Sequence, residues 1–206
     1  EADCRTHGAP LGGDAYRNTV VNLGGDPDAP FVVRQEVAEL YAKRREELKT
    51  IVAERRAEEE SWAAAHPVEA QLQSDWFAQK LPQLPWDSIM QKPNSPTRNA
   101  SAACLAMLSK EVKNMIVSSA DLCNSDKTDG FLKHAGVISR DDFSGGFLQA
   151  GVSELTMACV CLGIALHGGM WTAMGTFFVF SDYMKPAIRM AALMELPVKF
   201  VWSHDA

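Results

Sequence analysis

The sequence predicts an α/β fold, with a partial, mostly parallel sheet and flanking helices, preceded by a helical linker region. Three observations lead to this prediction. Short apolar segments alternate with helical segments in the second half of the chain, as they do in βαβ units. A long charged segment with helical spacing of its apolar residues fills much of the first half. Prolines cluster between residues 81 and 96, where they separate the two halves.

Composition narrows the functional classes. The chain has 206 residues, of which 47% are hydrophobic and 22% charged, as in ordinary globular proteins. Its net charge of −6 and the lack of a basic patch argue against a nucleic-acid partner. Five cysteines without a CxxC pair predict reduced, buried thiols of a cytoplasmic protein and no zinc site. These cysteines are Cys4, Cys104, Cys123, Cys159 and Cys161.

The first half begins with a turn-rich segment, residues 1–33, that contains a short helix from about Asp14 to Leu23. A long helix is predicted from Arg34 to His66, where Pro67 ends it, and a second short helix follows from Val68 to Lys80. The long helix is either a coiled-coil surface or a solvated helix laid across a domain. Its heptad pattern does not persist, which favours the second interpretation. Its apolar stripe consists of Val37, Leu40, Tyr41, Leu48, Ile51 and Val52.

An extended connector from Leu81 to Pro96 is the predicted domain boundary. After it, Thr97 is the expected N-cap of a helix that covers Ala100 to Val112. A buried strand is expected at residues 115–118. The polar, glycine-containing segment at residues 124–146 predicts a long loop.

The rest of the chain alternates strands and helices. The pattern predicts strands at 147–150, 170–176 and 198–203 and helices at 152–166 and 178–194. This order requires a mostly parallel sheet with right-handed crossovers. Ligands of such sheets bind at the carboxyl ends of the strands. The candidate residues at those ends are Asp121, Glu154, Phe177 and His204.

One acid stands out in the segment Phe147–Tyr183. Glu154 is followed by no charged residue until Asp182. A carboxylate beside so much apolar surface is costly unless it is paired or used. Phe177, Phe180 and Tyr183 recur every three residues, so their rings could wall a flat pocket. The alternatives are a membrane span, which the glycines argue against, rings that only fill the core, and a Glu that only favours a helix dipole.

Six motifs in order resemble the transketolases, which are thiamine-diphosphate enzymes of sugar metabolism. Together they cover nearly the whole chain. The motifs are THGAPLG at Thr6–Gly12, PFVVRQEV at Pro30–Val37, SSADL at Ser118–Leu122, AGVSELTM at Ala150–Met157, GTFFVFSDY at Gly175–Tyr183 and VWSHDA at Val201–Ala206.

The resemblance implies a role for each candidate residue of the cofactor site. Glu154 matches the catalytic glutamate, which hydrogen-bonds N1′ of the cofactor's aminopyrimidine. The three rings at Phe177, Phe180 and Tyr183 match the aromatic pocket that holds this aminopyrimidine. Asp121 matches an aspartate near the cofactor at a subunit interface, and His7 matches a histidine that reaches it from the diphosphate side. Without the resemblance, Asp121 is a turn or cap residue and His7 an exposed loop histidine.

The resemblance also implies substrates and partners. Arg98, Ser125 and His204 match residues that hold the phosphate of a phosphorylated sugar. The implied cofactors are thiamine diphosphate and Mg²⁺ or Ca²⁺, with metal ligands outside this chain. The implied assembly is a homodimer of the pentose phosphate pathway, with neither a nucleic-acid nor a membrane partner.

Because transketolases are about three times as long, the chain is expected to be an inactive central fragment. Its expected parts are the tail of a diphosphate-binding domain (1–33), a helical linker region (34–96) and the first half of a pyrimidine-binding domain (97–206).

Some positions depart from the family pattern. Ser153 and Leu155 flank Glu154 where the family has Arg and His, and Gly146 and Gln149 stand where arginines are common. Two further interpretations stay open, the first because of these departures and the second because the enzymes concerned share the glutamate. One is a non-catalytic α/β binding or assembly module of the same fold. The other is a thiamine enzyme similar to the deoxyxylulose-phosphate synthases.

Overall fold

A computed structural model of the chain describes residue 4 and residues 7–205. Thr6 and Ala206, which begin and end two of the motifs, lie outside these residues. The chain divides into two compact units, Glu1–Ala64 and Ala65–Ala206. The first unit contains helix α1 (Gly13–Asn22) and all but the last residue of helix α2 (Gln35–Ala65).

Helices α1 and α2 match the two predicted helices of this segment, but neither contains a buried residue. Five of the six residues of the apolar stripe of α2 are exposed, and only Ile51 is half-buried. Polar contacts occur on the surface of the unit. Arg17, for example, donates two hydrogen bonds to Asp28 at 2.9 and 3.0 Å. Exposed ion pairs of this kind contribute little to stability.

The second unit is an α/β layer structure with a four-stranded sheet. All its strands are parallel in the order β2-β1-β3-β4, which confirms the predicted sheet. Its elements are α3 (Pro67–Phe77), a short 3₁₀ helix (Trp86–Ser88), α4 (Thr97–Glu111), β1 (Met115–Ser119), α5 (Cys123–Asp126), α6 (Asp129–Ala135), β2 (Phe147–Gln149), α7 (Glu154–His167), β3 (Trp171–Thr176), a second 3₁₀ helix (Phe178–Phe180), α8 (Ser181–Leu193) and β4 (Val198–Trp202).

Each face of the sheet has its own hydrophobic core. On one side α7 and α8 pack against the sheet through residues such as Met157 and Met184, both fully buried. On the other side α4 and α6 pack through residues such as Leu105 and Phe131. The neighbouring residues Ala173 and Met174 of β3 pack into opposite cores, because side chains alternate between the two faces along a strand. This double cover explains why the strands read as continuous apolar runs.

Two local predictions were wrong. The expected loop at 124–146 contains most of α5 and all of α6. Gly130, one of the glycines of this segment, lies inside α6, and a Cβ there would lie 2.4 Å from the Ala102 carbonyl oxygen. The glycine therefore lets α6 approach α4 closely. Thr97 is the first residue of α4 rather than its cap. Pro96 holds the cap position, and no side chain caps the helix.

All five cysteines are free. Cys161 is buried, and burial raises the pKa of its thiol to about 12. Cys4 and Cys159 are exposed and Cys104 and Cys123 are half-buried, so the expectation of buried thiols is fully met only by Cys161. Within the part of the chain that the structure describes, no helix combines the length and apolarity that crossing a bilayer requires.

Candidate active site

The candidate residues of the second unit gather at the carboxyl edge of the sheet. Strand β3 ends at Thr176, directly before Phe177, and β4 ends at Trp202, two residues before His204. Asp121 follows the end of β1 by two residues, and Glu154 begins α7 after β2. Two cavities open at this edge, and they differ in chemistry.

The first cavity, here called the ring cavity, has a volume of about 540 Å³. Most of its lining is apolar, and Glu154 is the one ionisable carboxylate in it. It is lined by Ala120, Leu122, Val152, Ser153, Glu154, Leu155, Thr156, Phe180 and Tyr183. A pocket of this size and composition suits a flat heteroaromatic ligand with one polar edge.

Glu154 combines burial with spare hydrogen-bonding capacity. Its residue is only 6% exposed, and its Oε1 accepts one hydrogen bond, from Thr176 Oγ1 at 3.3 Å. Among residue 4 and residues 7–205, no hydrogen bond reaches Oε2. A buried carboxylate normally has its lone pairs occupied. Glu154 therefore retains an acceptor for a ligand in the ring cavity.

The rings of Phe177, Phe180 and Tyr183 form a stack. The ring centroids of Phe177 and Phe180 are 5.8 Å apart, and those of Phe180 and Tyr183 are 6.0 Å apart, with small interplanar angles. Phe180 and Tyr183 line the ring cavity. Phe177 instead lies behind Phe180 and contacts the ring of His204 at 4.7 Å, so it stands between the two cavities.

The second cavity, here called the arginine cavity, has a volume of about 560 Å³ and a lining of mixed polar and apolar side chains. It is lined by Pro96, Thr97, Arg98, Ser101, Asp126, Val201, Trp202, Ser203 and His204. Arg98 Nη1 lies 2.9 Å from Nδ1 and 2.8 Å from Nε2 of His204, and it donates to the Ser125 carbonyl oxygen at 3.3 Å. The structure thus brings Arg98, Ser125 and His204 together, although they are up to 106 positions apart in sequence.

Four candidates line neither cavity. Phe177 lies between the two cavities, and Ser125 contacts Arg98 through its carbonyl oxygen. Asp121 is exposed and has a left-handed backbone, with φ of 64°, a conformation that Asp tolerates better than most residues. It lies between Ala120 and Leu122, which both line the ring cavity. His7 is exposed in a turn of the first unit, where its backbone N–H donates to the Cys4 carbonyl oxygen. In the described part of the chain, no group of three or more His, Cys, Asp or Glu side chains could hold a metal ion.

Sequence reasoning missed two polar residues of the site. Thr176, the last residue of β3, supplies the hydroxyl that contacts Glu154. Asp126 is a buried carboxylate in the wall of the arginine cavity. The position of Thr176 at a strand end is a signal that could have found it. Asp126 gave no such signal, because the short helix that carries it was predicted as loop.

Comparisons with known proteins match this arrangement. A model of the transketolase pyrimidine binding domain matches residues 94–206, and a model of the transketolase thiamine diphosphate binding domain matches residues 1–82. The transketolase of Halalkalibacterium halodurans is 38% identical over 98% of this chain. The chain spans only 30% of the length of that relative.

Solved structures agree. The transketolase from Leishmania mexicana superposes with a TM-score of 0.78 at 30% identity, over 96% of this chain and 30% of its own. The transketolase from Pichia stipitis in complex with sedoheptulose 7-phosphate gives a TM-score of 0.78 at 28% identity, with the same coverage of both chains.

Proposed function

This chain belongs to the transketolase family, and we propose that it supplies the pyrimidine-binding side of a thiamine diphosphate site. The whole protein would transfer a two-carbon ketol unit between phosphorylated sugars. One observation carries the proposal: a buried carboxylate, Glu154, shares an apolar cavity with the stacked rings of Phe180 and Tyr183. The shape and chemistry of this cavity fit an aminopyrimidine.

Individual groups of the ring cavity match those of an aminopyrimidine. Phe180 and Tyr183 offer a flat aromatic surface on which a pyrimidine can stack. Glu154 Oε2 offers an acceptor for a pyrimidine N–H, and Thr176 holds the other oxygen of the carboxylate. When bound, thiamine diphosphate supplies the thiazolium carbon to which the two-carbon unit is attached.

The chain's own residues would then orient the pyrimidine and exchange a proton with it. Glu154 would share a proton with the pyrimidine ring nitrogen, a task that suits a buried carboxylate. The ring stack would fix the pyrimidine so that this nitrogen meets Glu154. Asp121 would approach the cofactor at the edge of the ring cavity, and His7 would approach it from the diphosphate side.

We propose the arginine cavity as the site for the phosphate of the sugar substrate. Arg98 and His204 line this cavity, and Arg98 also contacts the backbone of Ser125; the side chains of all three residues are of types that can donate hydrogen bonds. Arginine is well suited to phosphate because its donors pair with two oxygens at once. The sedoheptulose 7-phosphate of the Pichia stipitis complex is an example of a ligand with such a group.

The assembly that we propose is a homodimer. Several residues on the outer side of α7 are apolar or uncharged and exposed, including Leu155, Val160 and Leu166 at 42%, 41% and 53%. Exposed apolar patches of this kind commonly mark interfaces. Residues 1–33 would be the tail of a diphosphate-binding domain, 34–96 a helical linker region and 97–206 the first half of a pyrimidine-binding domain. The divalent metal, Mg²⁺ or Ca²⁺, would bind outside this chain. The free thiols support a cytoplasmic location.

A non-catalytic module of the same fold remains the second candidate. Ser153 and Leu155 favour it, since both line the ring cavity and stand where the family has a cation and an imidazole. The Ser153 hydroxyl is already engaged with the Ala150 carbonyl oxygen. A module of this kind would use the sheet edge for assembly rather than for turnover.

One set of assays separates the two candidates. The 206-residue chain, mixed with thiamine diphosphate, Mg²⁺, xylulose 5-phosphate and ribose 5-phosphate, should show no turnover. A full-length protein carrying this chain should bind the cofactor and turn over. Turnover by the chain alone would contradict the predicted inactivity. A full-length protein that neither binds the cofactor nor responds to Glu154→Gln would favour the non-catalytic module.

A further inference from the structure

Asp126 is a buried carboxylate in the wall of the arginine cavity, and three hydrogen bonds fix it. Its Oδ2 accepts from Ser119 Oγ at 2.7 Å, and its Oδ1 accepts from the backbone N–H and the hydroxyl of Thr128 at 2.8 and 2.7 Å. The residue is only 1% exposed. Both oxygens are thus occupied by the protein, and the side chain has one well-defined orientation.

The backbone of β3 is shaped to admit this group. A Cβ on Gly175 would lie 2.5 Å from Thr128 Cγ2 and 2.9 Å from Asp126 Oδ2, too close for any other residue. Asp126 is therefore held between the end of β1, through Ser119, and the surface of β3. The residue after Gly175 is Thr176, whose hydroxyl contacts Glu154.

The residue before Asp126 is the one that Arg98 contacts. The Ser125 carbonyl oxygen accepts from Arg98 Nη1 at 3.3 Å. A fixed Asp126 leaves this carbonyl little freedom, and the carbonyl in turn orients the guanidinium. We propose that Asp126 is a positioning residue for phosphate recognition, which acts by holding Ser125, and through it Arg98, in place. This inference rests on the proposed phosphate role of Arg98.

The charge of Asp126 makes the inference testable, because a charge effect and a positioning effect change the phosphate affinity in opposite directions. A carboxylate in the same cavity repels a phosphate, so if Asp126 acted only through its charge, removing it would tighten phosphate binding. If Asp126 positions Arg98, truncation should weaken binding even though a negative charge is lost. Asp126→Asn separates the effects, because the amide oxygen can still accept both hydrogen bonds from Thr128.

The experiment is a titration of the 206-residue chain with ribose 5-phosphate, followed by ¹⁵N NMR that includes the Arg98 side-chain Nε–H signal. We expect Asp126→Ala to weaken binding about fivefold and to shift the Arg98 signal in the free protein. Asp126→Asn should bind as tightly as the wild type or tighter. The matched control is Asp129→Asn, which removes the same charge from a partly buried residue paired with Lys133. Asp129 does not line the arginine cavity, so the affinity should change less than twofold.

Several results would overturn the inference. Binding by Asp126→Ala that equals or exceeds that of the wild type would do so, as would equal losses in the Ala and Asn variants. If Asp126→Ala does not fold, Ser119→Ala removes one of the three hydrogen bonds and should weaken binding about threefold. Unchanged affinity in Ser119→Ala would then count against it.

The titration also distinguishes the two levels of proposal. If Arg98→Ala abolishes binding and Asp126→Ala does not weaken it, the positioning role fails alone. If the wild type shows no binding, or Arg98→Ala leaves it intact, the phosphate site itself fails and the positioning role falls with it.

Discussion

The ring cavity and the arginine cavity share one edge of the sheet but are suited to different ligands. The ring cavity surrounds a single carboxylate, Glu154, with aromatic and aliphatic side chains. The arginine cavity combines a guanidinium, an imidazole and hydroxyl groups. Because both lie at the ends of parallel strands, strand topology alone does not explain the difference. The chemistry of each cavity depends on the polar side chains outside the strands: Glu154 begins α7, Arg98 lies at the start of α4 and His204 follows β4.

Phe177 stands between the two cavities, stacked on Phe180 on one side and in contact with His204 on the other. If the two sites act separately, a change in one should leave ligand binding in the other nearly unchanged. Energetic independence is the rule for groups that do not share partners. The following predictions test this separation, in order of decreasing effect on function.

The largest effect is expected for Glu154→Gln in a full-length protein carrying this chain. The amide cannot exchange a proton with the pyrimidine nitrogen, so turnover should fall about 10²- to 10⁴-fold. The affinity for sugar phosphate should stay within about twofold, as measured from steady-state KM and by direct binding. Glu111→Gln, an exposed glutamate at the end of α4, is the control and should behave as the wild type. Turnover by Glu154→Gln within about fivefold of the wild type would contradict the role of Glu154.

A second, opposite pattern is expected for Arg98→Ala. Loss of charged hydrogen bonds to a phosphate should weaken sugar-phosphate binding about 10- to 100-fold. Cofactor affinity should not change, which calorimetry with thiamine diphosphate can measure in the same protein. The exposed Arg140 offers a matched control, since Arg140→Ala removes the same charge elsewhere. A large loss of cofactor affinity in Arg98→Ala would show that the cavities are not separate.

A smaller effect is expected for Phe180→Ala, which removes the middle ring of the stack. Stacking and contact area are lost together, so the affinity for thiamine diphosphate should fall about tenfold. Sugar-phosphate binding should change less, because Phe180 does not line the arginine cavity. Phe143→Ala, at a position that is 78% exposed, serves as the control. Equal losses for both ligands would mean that the stack supports the whole edge.

The smallest effect on function concerns two thiols of α7, the helix whose first turn lines the ring cavity. With a pKa of about 12, Cys161 has only about 10⁻⁴ of its thiol ionised at pH 8. Its thiolate becomes abundant only as the pH approaches this raised pKa. Iodoacetamide at pH 8 should therefore modify the exposed Cys159 and leave Cys161 intact, as read by peptide mass spectrometry. Rapid labelling of Cys161 in the folded chain would mean that the core beneath this cavity opens readily.

Much of the fold could be predicted from the sequence because local patterns determine it. Apolar runs covered on both faces gave the strands of a parallel sheet, and the position of Glu154 after a strand predicted the edge at which it lies. The spacing of Phe177, Phe180 and Tyr183 predicted that all three rings would wall one pocket. The rings do stack on one another, but only Phe180 and Tyr183 line the ring cavity.

The division into two cavities was not predictable in the same way. It depends on the side of Phe180 on which the rings of Phe177 and Tyr183 lie, and the spacing of these residues in the sequence does not determine this arrangement. The Asp126 cluster depends on tertiary contact between Ser119, Thr128 and the bare backbone of Gly175. The apolar stripe of α2 was predicted correctly from helical spacing. That spacing does not determine whether other residues of the first unit cover the stripe, and most of it is exposed.

The central claim is that a buried carboxylate in the ring cavity meets the pyrimidine of the cofactor. A crystal structure of a full-length protein carrying this chain, solved with thiamine diphosphate, tests it most directly. We predict that a Glu154 oxygen lies about 2.6–3.2 Å from a pyrimidine ring nitrogen, with the pyrimidine stacked against Phe180. A pyrimidine bound elsewhere, or a Glu154 side chain turned into bulk water, would contradict the account.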